Sequence, residues 1–352
     1  MSRIPQIRQK LGKLDALLLT DPISIRYASG FFITDGAAVV TKTGAWLITD
    51  SRYIEAARQQ VTGMDVLCVS RERPLSVVIR ELIADAGPVV GAEETRLSHV
   101  DWRKYESELG VALKPAADIL AGLRASKDAA EIELFTAAQR IAEKALDEVL
   151  GIIRPGLTEK EVAAELVYRM LRYGSEANAF DPIVVTGAKS SMPHGVPGDE
   201  VIREGDFVTM DFGAMYGGYC SDMTRTVAVG HASPEMRKVY SIVLEAQLAG
   251  IDAARAGVTG REIDGAARSV IEKAGYGPYF GHGFGHSLGL EIHEAPNANQ
   301  SNDQPMPLGA VISAEPGIYL PGRFGVRIED EMWLREDGAY VITKAPKELI
   351  IL

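Results

Sequence analysis

The chain repeats itself, and that repeat narrows the fold more than any other feature. Arg154-Pro-Gly-Leu-Thr-Glu-Lys-Glu161 returns as Arg255-Ala-Gly-Val-Thr-Gly-Arg-Glu262. Gly205-Asp-Phe-Val-Thr-Met-Asp-Phe-Gly213 returns as Gly309-Ala-Val-Ile-Ser-Ala-Glu-Pro-Gly317. Both copies of the first motif offer a capping box, Thr158 with Glu161 and Thr259 with Glu262, which satisfies orphan backbone donors where a helix begins. Both copies of the second run from a glycine turn through an apolar strand to a carboxylate and a glycine. Two echoes in the same order, at nearly the same offset, imply a duplicated half-domain; a two-fold repeat is no solenoid. The expectation is two pseudo-symmetric halves that face each other.

Each half ends in a pair of acids on apolar strands: Asp211 and Asp222 in the first, Glu315 and Glu329 in the second. A carboxylate inside Phe207-Val-Thr-Met-Asp-Phe212 is costly to bury unless it is paired or metal-bound. Four such groups converging across a pseudo-two-fold axis would repel one another, and two divalent cations would remove that repulsion and hold water between them. Of the six histidines, His282, His286 and His293 crowd into one segment with glycines at 281, 283, 285 and 289, a pattern that argues against a regular helix. Imidazole serves both as metal ligand and as proton donor. His99 and His231 fall in helix-start or loop sequence and read as structural.

The first third alternates short strands, Asp15–Thr20, Ala37–Thr41, Ala45–Thr49 and Met64–Val69, with helical pattern over Tyr53–Gln60, Leu75–Ala86 and Val100–Leu109. A long helix is expected over Asp128–Ile153, with a domain boundary near residue 125. A chain of 352 residues exceeds what one hydrophobic core usually serves, so two domains fit its length. Lys+Arg 37 against Asp+Glu 48 leaves a net charge of −11, which disfavours nucleic acid and anionic membrane as partners. Cys68 and Cys220 are too few for a disulfide scaffold or a thiolate zinc site. The apolar run Ala16–Leu19 is too short for a signal-peptide core, and no stretch approaches the ~20 apolar residues of a membrane span, so a cytoplasmic protein is expected. Asp211-Phe-Gly213 lacks the companion loops of a kinase, and the glycines around Phe284 do not make a dinucleotide fingerprint.

With these residues in view, the chain resembles the pita-bread metallopeptidases, the group that includes prolidase, aminopeptidase P and methionine aminopeptidase. The resemblance is carried by Asp211-Phe-Gly, Ser221-Asp222-Met-Thr-Arg-Thr, His282-Gly-Phe-Gly-His286, Ile292-His293-Glu, Ala314-Glu315-Pro-Gly-Ile-Tyr319 and Val326-Arg-Ile-Glu329. It implies an α+β fold: a pita-bread catalytic domain over 126–352, preceded by a smaller α/β creatinase-type domain over 1–125. It implies metal ligands at Asp211, Asp222, His286, Glu315 and Glu329. Four carboxylates and one imidazole suit two Mn²⁺ or Co²⁺ ions, with Zn²⁺ also compatible. The implied activity is hydrolysis of the bond before proline by a hydroxide held between the metals. Glu315 is then the proton shuttle, His194 and His293 hold the substrate and the tetrahedral intermediate, and His282 assists.

Thr224 lies two residues after Asp222 and Arg327 two before Glu329, so period-2 alternation places each on its ligand's strand face. Arg327 is accordingly expected to support catalysis. Phe180, in Asn178-Ala-Phe-Asp-Pro182, resembles with Ile292, His194 and His293 the wall of a prolidase proline pocket. Asn297 departs from the pattern: many prolidases carry an arginine there that receives a dipeptide's carboxylate. Xaa-Pro dipeptides are the substrates expected, and aminopeptidase P activity on longer Xaa-Pro peptides is the alternative. Methionine aminopeptidase fits less well because it usually lacks a full N-terminal domain. A metal-free binding module fits less well because all five ligand positions are kept. The resemblance also implies a homodimer or higher homo-oligomer.

Overall fold

The computed structural model describes residues 2–352, and the chain divides into two compact units, Met1–Arg124 and Ala125–Leu352. In the first, strands β1 (Ala16–Leu19), β2 (Gly36–Thr41), β3 (Ala45–Thr49), β4 (Asp65–Cys68), β5 (Val90–Ala92) and β6 (Lys114–Pro115) form one sheet in the order β4-β3-β2-β1-β5-β6. The centre of the sheet is antiparallel, while β4, β5 and β6 join in parallel. Leu17, Leu18 and Leu19 are buried in sequence, the mark of a strand covered on both faces. Val78, Ile79 and Ile83 of the helix Leu75–Ala86 pack on Val39 and Ile48. The helix Pro22–Ser29 was not anticipated. Its start is nonetheless local chemistry: Asp21 accepts from the backbone N–H groups of Ile23 and Ser24 at 3.1 and 3.0 Å, and Pro22 opens the first turn.

The second unit opens with the helix Ala129–Leu150, capped by a box of Asp128 and Glu131. Two helix pairs follow the repeat, Ala129–Leu150 with Glu159–Arg172 and Pro234–Ala253 with Gly260–Lys273. Both capping boxes expected at Thr158 and Thr259 are formed. The first half carries β7 (Ile183–Thr186), β8 (Phe207–Phe212), β9 (Met215–Tyr216), β10 (Tyr219–Cys220) and β11 (Met223–Ala228). The second carries β12 (Gly285–Ser287), β13 (Glu294–Ala298), β14 (Val311–Ala314), β15 (Gly317–Leu320), β16 (Phe324–Arg327), β17 (Asp330–Leu334) and β18 (Ala339–Val341). One sheet runs β11-β8-β7 and another β13-β12-β14-β17-β18.

The turns that lead into β8 and β14 are matched. Gly205 has φ 86° and Gly309 φ 84°, a left-handed conformation that a side chain would strain. Antiparallel pairing of β11 with β8, and of β17 with β14, then brings the start of the later strand beside the end of the earlier one. Asp222 immediately precedes β11 and Glu329 immediately precedes β17. The four acids therefore sit at strand ends in both halves. No helix among the described residues is long and apolar enough to cross a membrane.

Candidate metal centre

The strand ends open onto a cavity of about 660 Å³. Asp211, Asp222, His286, Glu315 and Glu329 line it, together with His194, His282, His293, Arg327, Phe180 and Ile292. Every residue that the sequence assigned as a ligand, a catalytic group or pocket wall thus meets at one cavity. His99 instead opens the helix His99–Leu109, and His231 is exposed beside Glu204.

Ligand atoms of Asp222, His286 and Glu329 lie within 4.8 Å of one another. His286 Nε2 is 3.5 Å from Asp222 Oδ2 and 3.4 Å from Glu315 Oε1. Its Nδ1 faces the Ser287 carbonyl at 3.2 Å, an acceptor only, which places the ring proton on Nδ1 and leaves Nε2 bare towards the acids. Burial holds the His286 pKa below its usual value, so the ring is neutral, as a ligand must be. Ser313 accepts from the His286 backbone N–H at 3.0 Å and donates to Glu315 Oε1 at 3.1 Å, tying two of these residues to one hydroxyl.

Burial, then repulsion from neighbouring acids led by Glu329, pushes the Asp222 carboxyl well above its ordinary range, and Glu329 is pushed up the same way, first by burial and then by Glu315. Glu315 is raised chiefly by burial, against which His282 and Arg327 pull. Asp211 Oδ1, Asp222 Oδ1 and Glu329 Oε1 are buried without a hydrogen-bond partner. Orphaned carboxylate oxygens gathered around a neutral imidazole are a donor set that fits divalent cations of hard or borderline character.

The supporting contacts cross between the halves. Strand alternation paired Thr224 with Asp222 and Arg327 with Glu329, whereas Thr224 Oγ1 donates to Glu329 Oε2 at 2.7 Å and Arg327 Nη2 meets Asp211 Oδ2 at 2.6 Å. Alternation along one strand tells which side a residue faces, not which strand meets it there. Arg327 also donates to Thr224 Oγ1, Tyr319 OH and the Pro193 carbonyl. Burial works against its charge, but Tyr319 and Asp211 outweigh that and raise its pKa well above the ordinary value.

Tyr319, at the end of the motif Ala314–Tyr319, joins the site through His282. Its hydroxyl lies 2.9 Å from His282 Nε2, and His282 Nδ1 is 2.9 Å from the Gly283 carbonyl. Because that carbonyl only accepts, Nδ1 carries the ring proton and Tyr319 donates to Nε2. Burial pushes the Tyr319 hydroxyl up to about 12, so it keeps its proton for that bond. His293 packs edge-on against His286 with ring centroids 4.4 Å apart, and burial followed by the neighbouring His286 lowers its pKa. Two further acids were invisible to the motif reading. Glu159 accepts from the N–H groups of Thr186 and Gly198 and from Lys189, fastening the loop that bears His194. Asp264 accepts from Phe284 N–H and from Arg268, whose guanidinium reaches the carbonyls of Phe280 and His282.

Comparison with known proteins agrees with this geometry. Residues 133–336 match metallopeptidase family M24, and residues 3–126 match the creatinase/prolidase N-terminal domain. The chain is 37% identical over 347 residues to the Xaa-Pro dipeptidase of Pyrococcus furiosus, with 96% of each chain covered. Among solved structures, the Xaa-Pro dipeptidase from Bacillus anthracis superposes with a TM-score of 0.95 at 41% identity, covering 99% of both chains. The X-Pro aminopeptidase from Thermotoga maritima superposes with a TM-score of 0.93 at 38% identity, covering 100% of both.

Proposed function

We propose, from the premise that this chain belongs to metallopeptidase family M24 and carries its creatinase/prolidase N-terminal domain, that it is an Xaa-Pro dipeptidase. The observation that carries the reading is the convergence of Asp211, Asp222, His286, Glu315 and Glu329 on one cavity that also exposes an apolar wall at Phe180 and Ile292. Those five residues would hold two divalent ions, with Mn²⁺ or Co²⁺ favoured, and such ions would supply polarisation of the scissile carbonyl and acidification of the attacking water.

The protein's own groups do the rest. Glu315, in the cavity 3.4 Å from His286 Nε2, takes a proton from the attacking water and passes it to the prolyl nitrogen as the C–N bond breaks. Products are the free amino acid and proline, with one water consumed. His194 and His293, both exposed in the cavity wall, hold the carbonyl oxygen and the substrate. His282 has its Nε2 filled by Tyr319, so its part is to steady the wall rather than to donate from that nitrogen. Arg327 keeps Asp211 oriented. Phe180 and Ile292 suit a pyrrolidine ring, which buries apolar surface and brings no N–H that needs an acceptor.

The second reading, an aminopeptidase P acting on longer peptides, draws on Asn297, an uncharged amide in the cavity lining, and on the likeness to the Thermotoga maritima protein. Hydrolysis of Xaa-Pro is compared with that of Xaa-Pro-Yaa, each with Mn²⁺ and with Co²⁺. The dipeptide is expected to be cleaved faster, and faster cleavage of the tripeptide replaces the first reading by the second. The two-domain division at 125/126, a dimeric or larger assembly and a cytoplasmic location complete the proposal. The match of two separate families to 3–126 and 133–336 supports the first; light scattering tests the second, and fractionation the third.

A further inference from the structure

We propose, resting on the metal-centre reading above, that Glu331 is a positioning residue for that centre: a buried acid outside the five ligands that fixes Asp222 through its backbone. Glu331 lies on β17 opposite Ser313 of β14 and is fully buried. Its Oε1 accepts from the Asp222 N–H at 2.6 Å.

The need for this bond follows from the register. The β11–β8 ladder begins at Met223, one residue after Asp222, so the Asp222 N–H lies outside the strand pairing. On the other side of the junction, the Glu329 N–H finds a backbone acceptor, the Thr224 carbonyl at 3.1 Å. Glu331 follows Glu329 by two residues, as Thr224 follows Asp222. By that relation the Glu331 carbonyl would be the counterpart acceptor, but it meets Ile342 N–H at 2.8 Å and not the Asp222 N–H. The Glu331 side chain takes its place. The starts of β11 and β17 are then stitched from both sides, and these are the segments bearing two of the three residues whose ligand atoms cluster within 4.8 Å.

Packing alone gives no reason for an acid here. Glu331 Oε2 is buried without a hydrogen-bond partner, and an apolar side chain of similar size would fill the space without burying an unsatisfied oxygen. What a leucine could not do is hold the Asp222 N–H. Glu331 sets the distance between Asp222 and Glu329, and with it the affinity of the centre for its cation.

The test is a titration of metal-free full-length protein with Co²⁺, read by its visible ligand-field absorption, for wild type, E331L and E331Q. E331L removes the acceptor at similar volume, whereas E331Q keeps a carbonyl oxygen. E331L is expected to bind Co²⁺ about 10–100-fold more weakly, the range for loss of a group that orients a ligand, with altered band positions and an intact circular dichroism spectrum. E331Q is expected to restore affinity and bands. Wild-type affinity and bands in E331L overturn the proposal, as does an E331Q as weak as E331L. Should E331L not fold, E331I, also without an acceptor, takes its place with the same two outcomes. Failure of the wild type to bind Co²⁺ refutes the metal centre itself, and so the two failures are told apart.

Discussion

The two halves of the second unit share a backbone plan and divide the chemistry unequally. Each has a capped helix after a connecting loop, a left-handed glycine before a buried strand, and an acid at the end of that strand. The first half contributes two aspartates; the second contributes two glutamates and the imidazole of His286. Each fastens its histidine loop with a buried acid and a base, yet with different pairs, Glu159 with Lys189 and Asp264 with Arg268. Neither half completes its own ligands, because Thr224 of the first braces Glu329 of the second while Arg327 of the second braces Asp211 of the first. Duplication thus explains where the strand ends lie, and divergence explains why they cannot work apart.

The sharpest way to break this comparison is to remove one ligand from each half. Asp222→Asn and Glu329→Gln are both expected to lower kcat/KM on an Xaa-Pro dipeptide by more than about 100-fold, beyond the range for residues that merely orient ligands. Substantial turnover in either variant would mean that one half suffices. Next come the loop anchors. Glu159→Gln and Asp264→Asn each weaken the charged hydrogen bonds of a buried acid to a partly buried cation, and are expected to cost about 1.5–3 kcal/mol. Urea unfolding reads both, and a neutral result at either site would show that its loop is held by packing instead.

The crossed braces follow. Arg327→Ala is expected to lower activity about 10–100-fold with the fold retained, and Thr224→Val less, since Arg327 serves four acceptors and Thr224 orients one carboxylate. Arg327→Lys should rescue little, because an ammonium cannot reproduce the planar fork. Metal content and activity near wild type in Arg327→Ala would remove the crossing from the mechanism.

An acid outside both halves acts through pH instead. Glu93, in the first unit, accepts from Ser24 Oγ at 2.7 Å, and burial raises its pKa to about 7. A carboxyl whose folded pKa is raised holds a proton that the unfolded chain has released. Its contribution is therefore complete below about 4.5 and lost as pH rises through about 7, at no more than about 1.4 kcal/mol per pH unit. Glu93→Gln should flatten that slope in a stability-against-pH series, and an unchanged slope assigns the proton elsewhere.

Much of the site was legible because its chemistry is compressed into short motifs. An acid at the end of an apolar run, glycines around histidines and paired capping boxes are local signals, and each of those residues lines the cavity or starts the helix expected of it. Four of the six N-terminal strands and three of the helices there are readable from apolar spacing to within a residue or two, whereas the short β5 and β6 are not. The helix Pro22–Ser29 was overlooked despite a plain Asp-Pro start. Tyr319 closes a quoted motif and Glu331 lies two residues past another, and neither carries a signal of its own, because a tyrosine or glutamate on a strand acquires a role only from what faces it.

What the amino-acid order determined alone is everything set within one strand or turn: the duplicated plan, the helix starts, the glycines that must turn left, and the types of ligand available. What the tertiary structure decided is partnership. Which hydroxyl meets Glu329, which cation meets Asp211 and which acid caps the Asp222 N–H depend on two strands from opposite halves coming side by side. Hydrogen bonds act over about 3 Å, a distance that residues a hundred positions apart reach only in the folded chain.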